Sequence, residues 1–247
     1  MPTPNVVFDD QGVPLTGSID VPDTGIGRDV LLLMHGFTGH RMELAYFFVD
    51  LGRRLAARGV TVYRFDFRGC GESGGRFVDI SVADQIRQIE ALMHWLRERH
   101  PEVRLHLAGF SMGGLAAAHA TARGAAPATL TLIAPAGNLK DVVQRNCDAG
   151  VALADGTVDL LALPIGPTLR DELANLDTYA GLARIDVPTL VIQGSADAAV
   201  PLAVGRRIAQ TIPGARWHEV PDADHIFGRI AARDALARAM LARMSLE

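Results

Sequence analysis

A chain of 247 residues, 49% apolar and 21% charged, is long enough for one α/β domain with a sizeable core and is too ordinary in composition for disorder. Its net charge of −4, with no basic cluster, argues against nucleic acid as a partner. Arg28 is the first basic residue, no secretory pattern precedes it, and no apolar run approaches the roughly 18 residues needed to cross a bilayer, so a cytoplasmic chain with no membrane partner is expected. Cys70 and Cys147 are the only cysteines. They lack metal-site spacing, and in a cytoplasmic chain they are read as free thiols.

In chain order, Val6 to Phe8 and Leu15 to Val21 predict a hairpin turning at Asp10-Gln11-Gly12. The unbroken apolar run Asp29 to Met34 predicts a parallel strand covered on both faces. From Met42 to Arg58, apolar residues recur at helical spacing, with Gly59 as a C-cap. Val60 to Phe65 is a second buried strand, running into a glycine-punctuated loop from Asp66 to Ser73. A helix over Val82 to Arg99 returns to a strand from Val103 to Ala108, and an alanine-rich helix follows from Gly114 to Arg123. After a strand over Thr129 to Ala134, the stretch from Pro135 to about Tyr179 is less regular, with turns at Asp155-Gly156 and Pro164 to Pro167. Alternation resumes with strand Thr189 to Gln193, helix Leu202 to Thr211, strand Arg216 to Val220 and a helix from about Gly228 to Met244. Such alternation after an opening hairpin means a mostly parallel sheet with helices on both faces.

Between the strand ending at Ala108 and the alanine-rich helix lies Gly109-Phe110-Ser111-Met112-Gly113, the G-x-S-x-G pattern of a nucleophile elbow. A serine hydroxyl is a weak nucleophile at neutral pH and needs an imidazole to take its proton and a carboxylate to fix that imidazole. Asp197 and His225 fill these roles in the expected chain order, each in the loop after a strand. Asp222 and Asp224 lie closer to His225 in sequence, but an aspartate beside a histidine points its side chain elsewhere. The oxyanion of an attacked carbonyl needs two donors, and the backbone amides of Met112 and Phe37 are placed to give them. His35 and His40, around the latter, are read as shaping the loop.

His35-Gly36-Phe37, Asp66-x-Arg68-Gly69-x-Gly71-x-Ser73, Gly109-x-Ser111-x-Gly113, Gly194-x-x-Asp197 and Asp224-His225 occur in the order found in the α/β-hydrolase superfamily of serine hydrolases, which the chain resembles over essentially its whole length. The His-Gly-Phe-Thr-Gly-His opening, Ala134-Pro135-Ala136 and the short insert resemble the cinnamoyl or feruloyl esterase group. Family members often carry His where this chain has Cys70, a loop position with no catalytic role.

The resemblance implies a single α/β-hydrolase domain over residues 1–247, with a mostly parallel central sheet of about eight strands and a small lid insert over about 135–180. It also implies a serine esterase that needs no cofactor and no metal, acting through an acyl-enzyme on a small-molecule ester with a short acyl or aryl, including hydroxycinnamoyl, group. On that likeness Asp141, Gln144 and Tyr179 are candidates for contacts to a phenolic ring. A thioesterase or a small amide or peptide hydrolase would use the same triad, and a metal-free haloperoxidase side activity is compatible with it. A non-catalytic ligand-binding relative is the reading from another class. Oligomeric state stays open, a homodimer included.

Overall fold

The computed structural model describes residues 4–244. Strands β1 (Asn5–Asp10) and β2 (Val13–Asp20) form the opening antiparallel hairpin. Its loop is Gln11-Gly12, both residues with positive φ, as a two-residue hairpin loop requires. Next come β3 (Asp29–Met34), α1 (Phe47–Ala56), β4 (Val60–Phe65) and α2 (Val82–Arg99). They are followed by β5 (Arg104–Phe110), α3 (Met112–Ala120) and β6 (Leu130–Ile133).

The insert supplies α4 (Leu139–Ala149), β7 (Val151–Ala152), β8 (Val158–Leu160), β9 (Leu163–Ile165) and α5 (Pro167–Asn175). The chain then returns to the main sheet with β10 (Thr189–Gly194), α6 (Leu202–Thr211), β11 (Arg216–Val220) and α7 (Ile230–Met244). The eight-stranded sheet has the order β1-β2-β4-β3-β5-β6-β10-β11, antiparallel at β1-β2-β4 and parallel elsewhere. This is the α/β-hydrolase fold.

The middle of the sheet explains the unbroken apolar run. In β3, Val30, Leu32 and Met34 join the core on one face, while Leu31 and Leu33 join the core on the other, and all five are fully buried. A strand with no wet face has no place for polar residues. Each such leucine leaving water contributes roughly 1.5–3 kcal/mol. Helix α3 is buried along its whole length, which accounts for its small residues: its axis lies close over the sheet.

Two local expectations change. The helix predicted from Met42 begins only at Phe47, because Glu43, Ala45 and Tyr46 all have positive φ, which an α-helix does not admit. Glu43 turns its carboxylate inward onto the amide of Gly36, so Leu44, expected in the apolar stripe, is left 66% exposed. The stretch expected to be irregular holds two helices and its own antiparallel sheet, β7-β8-β9. Pro164, expected in a turn, pairs with Asp159 in the edge strand β9, a position where a missing N–H is tolerated.

Two sets of side-chain hydrogen bonds help to fasten the insert to the body, beside the His119 contact with the Thr178 carbonyl and the Arg207 guanidinium over Tyr179. The Glu172 carboxylate in α5 accepts the Val82 and Ala83 amides at the start of α2, at 2.6 and 2.7 Å. Asn138 and Arg145 both donate to the carbonyl of Ala199, in the loop after β10. No helix among the described residues is long and apolar enough to cross a membrane.

Candidate active site

Strand β5 and helix α3 meet at Ser111, whose backbone stands at φ 52° and ψ −116°. For a residue with a β-carbon this conformation costs on the order of 1–3 kcal/mol and needs support from around it. Support comes from three backbone hydrogen bonds: the Ser111 amide donates to Ile133, while its carbonyl accepts from Leu115 and Ala136. The flanking glycines are steric requirements. A β-carbon at Gly109 would stand 2.2 Å from the carbonyl oxygen of Gly113, and one at Gly113 would stand 2.2 Å from that of His35. Ser111 is 6% exposed and heads α3, where the Met112 amide is among the first-turn donors that an α-helix leaves unsatisfied.

The loop after β3 passes directly over this turn. A β-carbon at Gly36 would lie 3.1 Å from Cβ of Ser111 and 3.3 Å from the ring of Phe110. Phe37 follows, half-buried, its ring 6.0 Å from that of Phe77. His35 is wholly buried beneath the loop. The Phe67 amide donates to its Nε2 at 3.0 Å, which leaves Nδ1–H to donate to the Gly36 carbonyl at 2.8 Å. Burial pushes this imidazole down to about 4, so it is neutral and structural. His40 accepts the Met42 amide through Nδ1.

Asp66 is the hub of the glycine-punctuated loop. It is fully buried, accepts the amides of Arg41 and Glu72, and pairs with the guanidinium of Arg41. Gly71 has positive φ, and a β-carbon there would meet the Asp66 carboxylate at 2.3 Å. The Asp66 to Ser73 motif is therefore scaffolding that fixes the loop after β3 from below. Cys70, between its glycines, is buried, and its thiol is pushed up to about 12 by that burial and by the nearby Asp66 and Glu43 carboxylates. Such a thiol is inert at neutral pH.

Asp197 and His225 are brought together from the loops after β10 and β11. His225 Nδ1 lies 2.8 Å from Asp197 Oδ2, and the Asp197 side chain is fully buried. The other oxygen, Oδ1, accepts the amides of Ala199 and Val200, both at 2.9 Å, so the carboxylate also fixes its own loop. The imidazole of His225 packs against Phe110, the residue before Ser111, with ring centroids 4.7 Å apart. Asp224 turns away and accepts the Gly228 amide, and the Asp222 amide is held by Ser195.

The insert residues make other contacts. Asp141 and Gln144 lie exposed on α4, and the Gln144 amide group donates to Asp148. Tyr179 is half-buried with the guanidinium of Arg207 3.8 Å over its ring. One residue at the centre had no distinctive sequence signal: Glu43, 7% exposed, which reads in sequence as a charge on the wet face of a helix.

Three comparisons bear on this geometry. Residues 26–162, more than half of the chain, match the family described as serine aminopeptidase, S33. A monoacylglycerol lipase of Mycolicibacterium smegmatis is 31% identical over 42% of this chain, and human monoacylglycerol lipase ABHD6 is 24% identical over 69%. The matched stretches span only 35% and 49% of those relatives' own lengths. Among solved structures, Est1E of Butyrivibrio proteoclasticus with ferulic acid bound superposes with a TM-score of 0.81 at 21% identity, covering 97% of this chain and 99% of that one. With its elbow, sheet order and profile match in agreement, the chain belongs to the serine aminopeptidase S33 family of the α/β-hydrolase superfamily of serine hydrolases.

Proposed function

We propose that the protein is a cofactor-free carboxylic ester hydrolase working through an acyl-enzyme on Ser111. The observation that carries this reading is the 2.8 Å pairing of His225 Nδ1 with buried Asp197, on an imidazole packed against the residue that precedes Ser111. Asp197 orients the ring and stabilises the imidazolium, leaving Nε2 as the base. Ser111 Oγ attacks the ester carbonyl carbon as its proton passes to Nε2. The Phe37 and Met112 amides hold the oxyanion. Collapse expels the alcohol, which takes the proton from His225. Water then attacks the acyl-serine with His225 again as base, releasing the acid and restoring Ser111.

The insert supports a reading of the substrate class. Its α4 holds the carbonyl of Ala199, two residues from Asp197, through Asn138 and Arg145, which suits a cover over the triad. A long segment beside a site is more often functional than idle. A cover of this size favours short acyl or aryl groups, hydroxycinnamoyl esters included, with Asp141, Gln144 and Tyr179 as candidate contacts. Est1E, of similar fold, binds ferulic acid.

The family description, a serine aminopeptidase, favours amide hydrolysis as a second reading. A panel of p-nitrophenyl esters of increasing acyl length, methyl hydroxycinnamates, a thioester and amino-acid p-nitroanilides separates the two. The ester reading expects kcat/KM for short acyl and aryl esters to exceed that for anilides by at least about a hundredfold. Preference for the anilides would overturn it.

A further inference from the structure

Glu43 is a buried carboxylate to which the reaction just described gives no part. Its backbone has positive φ, and its carboxylate accepts the amides of Gly36 at 2.7 Å and Leu44 at 3.3 Å. Gly39 makes the room: a β-carbon there would stand 2.4 Å from Glu43 Oε1. Among the described residues no cation forms a salt bridge with Glu43, and the neighbouring Arg41 is committed to Asp66 and Glu72.

Burying an ionised group without a cation is costly, and a glutamine would meet either amide at much lower cost. Packing alone therefore leaves a carboxyl at this position, rather than an amide, unexplained. Position explains it better. Gly36, held by Glu43, lies directly on Ser111 and Phe110, and the ring of Phe110 lies on His225. One residue, Gly36, separates the carboxylate from the serine.

Resting on the triad reading above, we infer that Glu43 is a positioning residue of the hydrolase. Its carboxylate fixes the Gly36 amide, and through it the neighbouring Phe37 amide, over Ser111. It also places a carboxylate, besides Asp197, across the Gly36 and Phe110 contact from His225, where its charge would favour the imidazolium as it forms. His225 lies across the Phe110 ring from Glu43, on the loop after β11, and is paired in turn with Asp197 from the loop after β10. Cys70 faces it from the loop after β4, with Asp66 beyond. His35 and His40 belong to its own loop, the first neutral. Burial raises the Glu43 carboxyl above the usual range, against the opposing pull of the Gly36 and Leu44 amides and of His225.

The test compares the wild type with Glu43→Gln and Glu43→Ala, using a short-chain p-nitrophenyl ester and a fluorophosphonate. Glu43→Gln keeps an acceptor for Gly36 and removes only the charge. It should fold, keep KM within about twofold, lose about tenfold in kcat, and show its kcat/KM profile rising at a lower pH than the wild type. Glu43→Ala should lose about a hundredfold in kcat. Wild-type kcat and an unmoved midpoint in Glu43→Gln would overturn the inference, even if Glu43→Ala fails to fold. Reduced kcat with an unmoved midpoint would overturn the role of the charge. Failure of the wild type itself to label at Ser111 would overturn the triad reading and this inference with it, a result distinct from equal labelling of wild type and variants, which overturns the inference alone.

Discussion

The imidazole of His225 rests on the ring of Phe110, centroid to centroid 4.7 Å, so the strand that leads into the elbow serine also forms the floor under the histidine. The three loops named from the sequence, after β5, β10 and β11, converge at that contact. Fixing the ring from below leaves its orientation about that floor to Asp197. Asp197→Asn should keep the fold and lower kcat about ten-thousandfold, by supporting the wrong tautomer. Asp224→Asn and Asp222→Asn should each cost less than about tenfold, because Asp224 is occupied with the Gly228 amide and Asp222 is held through its backbone. Steady-state kinetics on the three variants checks the ranking, and the reverse order would move the acid.

Gly113 tests the elbow's geometry. An alanine methyl there would lie 2.2 Å from the His35 carbonyl and 2.7 Å from that of Met34, both rigid backbone. Gly113→Ala is expected to destabilise by at least about 2 kcal/mol, as overpacking against backbone does. Gly124 has open space around it, but its φ of 109° also disfavours a side chain. Gly124→Ala should therefore cost only about 1 kcal/mol. Urea unfolding of both, with equal losses, would contradict the account.

His35 gives the pH dependence of stability a sign. In the folded chain it titrates down at about 4, against 6.5 for a free imidazole. Between those values the unfolded chain binds the extra proton, so this residue's contribution is intact above pH 6.5 and is lost on acidification, by up to about 3 kcal/mol at pH 4. Glu43, whose carboxyl is raised, works in the opposite sense, so the variant comparison is the informative one. Denaturation of wild type and His35→Gln at pH 7.5 and 4.5 should show a smaller acid loss in the variant, although it starts less stable. An equal loss would remove His35 as the cause.

The insert should depend on Glu172, whose carboxylate caps α2 from a distance of 90 residues in the chain. Glu172→Ala should cost about 1 kcal/mol, the usual worth of a charged cap at a helix N-terminus. It should also raise limited proteolysis within 135–180 and narrow the ratio between short-acyl and longer-acyl esters. Unchanged cleavage and unchanged ratios would mean that the insert is held by packing elsewhere and that specificity lies in the loop from Phe37 to Arg41.

Periodicity and punctuation carried most of the fold. The runs at Asp29–Met34, Val60–Phe65 and Val82–Arg99 appear in the structure with the same ends, because a parallel strand buried on both faces and a long capped helix leave strong apolar patterns. Two regions were opaque for physical reasons. At residues 42–46 an inward-turned glutamate overrides a helical apolar spacing, and no propensity rule reads a carboxylate that binds backbone amides on a preceding loop. In the insert, strands of two or three residues are too short for alternation to show, so β7, β8 and β9 form through their turns and neighbours. Within the candidate site, Ser111, Asp197 and His225 stood out through chain order, and Met112 and Phe37 through adjacency. The ion pairs beneath them, Arg41 with Asp66 and Arg64 with Asp20, connect residues more than twenty positions apart and left no local trace.

The most direct test is intact-mass spectrometry after a brief incubation of the folded protein with a fluorophosphonate, followed by peptide mapping. One adduct per chain is expected, on Ser111, absent in Ser111→Ala and formed at least about a hundredfold more slowly in His225→Ala. No adduct on folded wild-type protein, or an adduct that persists in Ser111→Ala, would contradict this expectation.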